Sequence, residues 1–239
     1  MATRGDAGAR QDEIMSIATL RGLVSGDCDV YPSEKGWNMP GTDVICFTRD
    51  AMIATMSGEL PVQSLREGDR VITRDNGLQE IAWIGQKTLT QSDLAQNPNL
   101  QPIVIKAGSL GHNQPERDLM VSPNHRMLIA NDANALLFDE RETLVAAKHL
   151  VGKPGVVRAT VASVTYFHVL FEHHEVVLGN GAWSESFQPG DYSVSTLNDD
   201  QRAEIFGLFP ELASDGALAE FAAARRSLNK NEAALVRIN

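Results

Sequence analysis

The chain has 239 residues, 43% of them hydrophobic and 22% charged, enough for one sizeable buried core with appended arms. Its formal net charge of −10 is spread along the whole length without a basic patch, which argues against nucleic acid and against an anionic membrane as partners. Its two cysteines, Cys28 and Cys46, cannot build a disulfide framework; a single bridge between them is open, and two free thiols are the expectation in a reducing compartment.

Met1-Ala2-Thr3-Arg4-Gly5-Asp6 leads into no apolar stretch, so a cleaved signal peptide is not expected. The expected location is the cytoplasm, or outside it by a route without such a peptide. Residues 1–12 read as a polar tail. From Asp12 to Leu23 the apolar positions Ile14, Ile17, Ala18 and Leu20 are loosely helical, with Gly22 as a stop. Residues 26–42 are turn-rich and read as a linker. Residues 44–85 alternate as strands do, broken at Gly58, at Gly68-Asp69 and at Asn76-Gly77, the last a signal for a two-residue hairpin turn. Thr88 to Gln101 is a polar excursion at the domain edge. Pro102 to Ile105 is a short buried strand, Gly108 to Arg117 a loop, and Asp118 to Ala130 a strand interrupted at Ser122-Pro123-Asn124-His125.

Leu136 to Val145 reads as a hairpin and Ala146 to Leu150 as a short helix. Val156-Val157, Ala159 to Val161, Val164 to Tyr166, Val169 to Phe171 and Val176 to Leu178 continue the sheet. Short strands with glycine turns at close spacing imply an all-β core. In the tail, Asn198-Asp199-Asp200 can cap a helix running to about Phe209. Ser214-Asp215 can cap a second, Ala-rich one carrying Leu218, Phe221, Ala222 and Leu228.

Three blocks carry the functional signal. The first is Cys46-Phe47-Thr48 with the strands behind it, to Trp83-Ile84-Gly85. The second is Leu119 to Arg126, with a hydroxyl and an imidazole three residues apart at Ser122 and His125. The third runs from Tyr166-Phe167-His168 through His173-His174 to Gly179-Asn180-Gly181. In this order they resemble the Hint (hedgehog/intein) autoprocessing domain, particularly its bacterial stand-alone form, over about residues 44–190.

The resemblance implies an all-β Hint-type fold with a pseudo-two-fold β core and short helices in the C-terminal tail. Residues 1–43 would be an N-terminal segment and linker, 44–190 the autoprocessing domain, and 191–239 the helical tail. It also implies a chemistry. A thiol can attack its own preceding carbonyl if that carbonyl is polarised and the departing amide nitrogen is protonated. Cys46 then looks like the nucleophile of an N–S acyl shift at Ile45-Cys46. Ser122 looks like the hydroxyl that holds the scissile amide, and His125 like the proton donor, standing where the family has Thr-x-x-His. His168, where many inteins place an acidic residue, is a second acid/base group, and His174 in the same block completes the set. Asp118 either orients an imidazole or caps a turn.

The product would be autocleavage or acyl transfer, with the chain's own N-terminal segment as substrate and water or a thiol as acceptor. Splicing inteins end in His-Asn followed by Cys, Ser or Thr; the corresponding positions look like Glu185 and Ser186, which cannot form a succinimide, so splicing is not expected. A sterol acceptor is not expected either, for want of an apolar extension after residue 190. No cofactor is expected, and no metal, because His168, His173 and His174 come without Cys-x-x-Cys or His-Glu-x-x-His. Two other readings stand beside this one: a catalytically silent structural or interaction module, and a cysteine hydrolase acting in trans through Cys46 and His125. Only the self-processing one predicts a fragment that starts at Cys46.

Overall fold

Short apolar segments separated by tight turns have one good way to satisfy their backbone groups, which is to pair with one another. The computed structural model describes residues 45–188, 202–203, 206–207 and 223–238, all within the unit Met39–Asn239. Fifteen strands lie among the described residues. They are β1 (Phe47–Thr48), β2 (Met52–Thr55), β3 (Gly58–Pro61), β4 (Arg70–Thr73), β5 (Gly77–Glu80), β6 (Trp83–Leu89), β7 (Ile103–Ile105), β8 (Leu119–Val121), β9 (Arg126–Ala130), β10 (Glu142–Ala146), β11 (Val156–Arg158), β12 (Val164–Leu170), β13 (Val176–Gly179), β14 (Ala182–Glu185) and β15 (Ser227–Leu228). They are accompanied by the α-helices α1 (Gln91–Gln96), α2 (Asp132–Phe138), α3 (Ala147–Leu150) and α4 (Lys230–Leu235), and by single 3-10 turns at Val62–Ser64 and Pro98–Leu100.

One sheet has the order β11-β7-β8-β1-β12-β6; the other runs β15-β10-β9-β14-β13-β2-β4-β5, with β3 on β2. Every pairing is antiparallel except that of β15 with β10. The main core joins both sheets: Ile103, Ile105, Leu119 and Val121 of the first meet Ile53, Val71, Met127 and Val177 of the second. The fold is all-β with short helices, as the strand pattern implies.

Two consequences bear on the site. Strand β1 is only two residues long, yet it is held on both flanks, Phe47 pairing with Val121 on β8 and with Phe167 on β12. The residue before β1 is therefore fixed between two strands. A second apolar cluster of Leu89, Leu94, Leu100, Val164 and Tyr166 packs on Cys46.

Several segments differ from the sequence reading. The polar excursion 88–101 is in part the end of β6 and in part α1, whose N-terminus is closed by a capping box between Thr90 and Asp93; such reciprocal bonds satisfy otherwise orphaned N–H groups. Leu94 and Leu100 give this stretch a buried face. The hairpin expected at 136–145 is helix α2 followed by β10. Asn131 caps α2 and Asp139 ends it in the left-handed conformation, and the helix buries Asn134 and Phe138 while leaving Leu136 outside. Capping decided the local conformation over the apolar pattern.

The Asn76-Gly77 hairpin has three loop residues rather than two. Thr73 pairs with Gly77, and Gly77 takes φ +69°, the three-residue form that needs a left-handed residue at its end. Thr73 Oγ1 accepts from Asn76 N–H and donates to Gly77 O, which holds that form. Ala159 to Val161 lies outside the strands. Leu228 sits in β15 rather than in a helix, and α4 follows it, capped by Asn229. The expected helix 12–23, Cys28, and Leu218, Phe221 and Ala222 lie outside the described residues; of the first tail helix, 202–203 and 206–207 are described and are helical.

Candidate active site

Cys46 is the residue before β1, and Ser122 is the residue after β8, so the β1–β8 pairing sets them face to face. Ser122 grips Cys46 on both sides: Cys46 N–H donates to Ser122 Oγ at 3.0 Å, and Ser122 N–H donates to Cys46 O at 3.0 Å. The turn Ser122-Pro123-Asn124-His125 closes on itself through His125 N–H to Ser122 O. It is tied to α3 by Lys148 N–H to Pro123 O and Ala147 N–H to His125 O.

His168 comes from β12, on the other flank of β1. Its Nδ1 lies 3.1 Å from Ile45 O, while Nδ1 and Nε2 lie 3.4 and 3.5 Å from Cys46 Sγ. A carbonyl oxygen can only accept, so Nδ1 carries the ring proton and Nε2 presents its lone pair. Burial pushes this imidazole down to about 4; the bond to Ile45 opposes the shift and Lys87 adds to it. It is therefore uncharged at neutral pH. Burial pushes the Cys46 thiol well above its ordinary range, with Ser122 partly offsetting the effect. Cys46 is a free, buried thiol.

His125 sits one step further along. Its ring meets Phe47 edge-on, with centroids 4.5 Å apart. Both of its ring nitrogens are buried without a hydrogen-bond partner among the described residues. Burial, and then the neighbouring charge of Arg126, push it down to about 3. The Cys46 amide is thus bonded to Ser122 and not to His125.

His174 belongs to a second buried group. Its Nδ1 accepts from Ala224 N–H at 3.0 Å, and its Nε2 stands 3.6 Å from Glu185 Oε2. Glu185 in turn accepts from the backbone N–H and the guanidinium of Arg126. Ser186 exchanges bonds with Glu175, and Phe187 N–H donates to Val169 O, so the segment after β14 is laced into the sheets. Asp118 does not orient an imidazole; it pairs with Lys106 and accepts from Ala107 N–H. His173 is exposed, so the three histidines of the third block do not converge, and no cluster of metal-ligating side chains occurs among the described residues.

The sequence reading missed the aromatic walls of the site. Trp83 lies roughly parallel to His168 at 6.2 Å between centroids, and Phe187 meets the same ring edge-on at 4.9 Å. No pattern in the chain pairs Phe187 with His168; only the Trp-Ile-Gly sequence at the head of β6 hints at an unusual packing there.

A family model for the Hint domain matches residues 45–191, more than half of the chain. The chain belongs to the Hint domain family. Among solved structures, this Hint domain is similar to the bacterial intein-like domain from Clostridium thermocellum. That match has 14% identity and TM-score 0.38, covering 60% of this chain and 99% of that one. It is similar to a DnaB intein from Synechocystis sp. PCC 6803, at 11% identity, TM-score 0.37, 59% of this chain and 98% of that one. It is also similar to the MchDnaB-1 intein, at 12% identity, TM-score 0.35, 59% and 99%. No curated protein matches the chain. The family assignment rests on the domain match. No helix among the described residues is long and apolar enough to cross a membrane.

Proposed function

We propose that this Hint domain processes itself by an N–S acyl shift at Ile45-Cys46 and without splicing. One observation carries the reading: the oxygen, the nitrogen and the sulfur of a single linkage each face a side chain. Ile45 O faces His168 Nδ1, Cys46 N–H is held by Ser122 Oγ, and Cys46 Sγ lies beside the His168 ring. In a simple buried core residue, no such convergence is needed.

Burial keeps the thiol protonated, so attack has to be coupled to proton removal. In this reading His168 Nε2 takes the thiol proton as Sγ bonds to the Ile45 carbonyl carbon. His168 Nδ1–H holds the developing oxyanion where a preorganised donor is most effective. The carbon–nitrogen bond then breaks, and the proton passes to the Cys46 nitrogen. A thioester on Sγ and a free amine remain, with no net proton consumed. One imidazole can serve both ends because nucleophile and leaving group belong to one residue. His125 is the second proposed donor, behind Phe47, and His174 enters only as support, through Glu185 and Arg126 beside it. Water or a thiol would then release the segment before Cys46.

A silent module is the second reading, favoured by the sealing of the linkage: Ile45 is 3% and Cys46 1% exposed. The intact mass of freshly purified protein, with and without dithiothreitol and beside Cys46→Ala, separates the two. A fragment beginning at Cys46, increased by thiol and missing in the variant, is the expected result. A single full-length mass under both conditions sinks self-processing.

A further inference from the structure

An imidazole that serves two atoms at once works in only one ring orientation. A half-turn about its Cβ–Cγ bond would take Nδ1 away from Ile45 O and put a carbon there. The bond to Ile45 O at 3.1 Å and the sulfur contacts at 3.4 and 3.5 Å oppose such a turn, and the packing against the ring faces adds to them. The walls around the ring therefore matter.

Gly85 on β6 stands directly across from His168 on β12. Its side-chain space is taken: a Cβ at Gly85 would lie 2.1 Å from Trp83 Cη2 and 2.6 Å from Trp83 Cζ2. The indole is thus folded back along its own strand, over Gly85, into the position from which a cross-strand neighbour would touch His168. It lies within 28° of parallel to the imidazole. Phe187 packs beside the indole, tilted 51° to it at 6.2 Å, and meets the imidazole at 75° with centroids 4.9 Å apart. Its backbone is tied to Val169, the neighbour of His168, at 2.8 Å. Trp83 and Phe187 are each only 1% exposed. The indole Nε1 is buried without a hydrogen-bond partner among the described residues, a cost that an apolar side chain would avoid. Shape, not polarity, is what Trp83 contributes.

We propose that Trp83, Gly85 and Phe187 form a cradle of positioning residues that locks the His168 imidazole in the single orientation serving both Ile45 O and Cys46 Sγ. The consequence for rate rests on the self-processing reading; the locking itself does not. Gly85 is required because any side chain there would evict the indole. Packing of this density confines a ring, and a misplacement of about 1 Å in a reacting group costs on the order of 10²-fold in rate.

The test is long-range nitrogen–proton correlation of the histidine rings in ¹⁵N-labelled full-length protein carrying Cys46→Ala, which keeps the linkage intact. His168 is expected to show the Nδ1–H tautomer alone, and to keep it in Trp83→Phe. In Trp83→Leu, Gly85→Ala and Phe187→Leu it is expected to show a mixture of tautomers. With Cys46 restored, those three are expected to process on the order of 10²-fold more slowly. Folding is followed by circular dichroism. Mixed tautomers in the parent protein overturn the cradle without any need for the variants. So does an unchanged Nδ1–H tautomer in those wall variants that remain folded. A locked ring in a protein that never cleaves would end the self-processing reading and leave the cradle standing.

Discussion

At the scale of single residues, the site sets chemistry against stability. His168 makes the only polar contact to the Ile45 carbonyl among the described residues, through Nδ1 at 3.1 Å. In the proposed acyl shift, His168→Ala is expected to slow thioester formation by about 10²- to 10⁴-fold, the range of a general acid–base group, measured as thiol-induced cleavage over time. Ser122→Ala leaves the Cys46 amide without its acceptor and is expected to slow the same step. His125 behaves differently: both of its nitrogens are buried and unpartnered. An orphaned buried polar group costs about 1–3 kcal/mol, so His125→Leu is expected to stabilise the fold by about 1 kcal/mol after some loss of packing on Phe47. If the proposed donor role holds, the same variant processes more slowly. Chemical denaturation checks the first part, and a loss of several kcal/mol would show that the ring has an important partner.

At the scale of elements, small polar residues decided what apolar patterning could not. The capping box of α1 fixes a helix whose Leu94 covers the Cys46 side of the first sheet. Thr90→Ala is expected to cost about 1 kcal/mol, read as a shift in the denaturation midpoint at constant slope. Asn180 plays a comparable part in the turn between β13 and β14. Its Oδ1 accepts from Met52 N–H at 2.6 Å, its Nδ2 donates to Asp118 O at 2.9 Å, and its φ is +48°. Asn180→Ala is expected to cost about 2 kcal/mol or more through lost bonds and left-handed strain. Asn180→Gly should recover only the backbone share.

For the whole molecule, the buried titratable groups predict a stability that depends on pH at both ends. His125 and His168 have folded-state values near 3 and 4, below the unfolded value of about 6.5. Between those limits the unfolded chain binds more protons, so stability is full above about pH 6.5 and falls as pH drops toward 4. Cys46 acts in the opposite direction. Its folded value is raised, so the unfolded chain loses its thiol proton first, and stability falls as pH rises beyond the ordinary thiol range. Lys87, pushed down to about 8 by burial, opposes Cys46 at alkaline pH, because the unfolded chain keeps that amine protonated to higher pH. Urea midpoints from pH 4 to 10 are expected to show the acid limb directly, reduced in His125→Leu, and the Cys46 contribution as the alkaline difference between the parent protein and Cys46→Ala.

The chain alone was enough to establish the all-β class and most glycine turns, and to bring Cys46, Ser122 and His125 forward as candidates; of these, Ser122 meets Cys46 and His125 does not. Those signals are local: alternation, turn residues, and a hydroxyl three residues before an imidazole. It was not enough for α2 or for the three-residue turn at Gly77, where side-chain to backbone bonds select among conformations that composition leaves equal. It also could not rank the histidines. Only the tertiary structure put His168 against the Ile45 carbonyl, turned His125 toward Phe47, and sent His174 to Glu185. The reason is topological. Strand β1 reaches its neighbours β8 and β12 across many intervening strands, and the atoms that meet at Cys46 have no relation in sequence that any local pattern could carry.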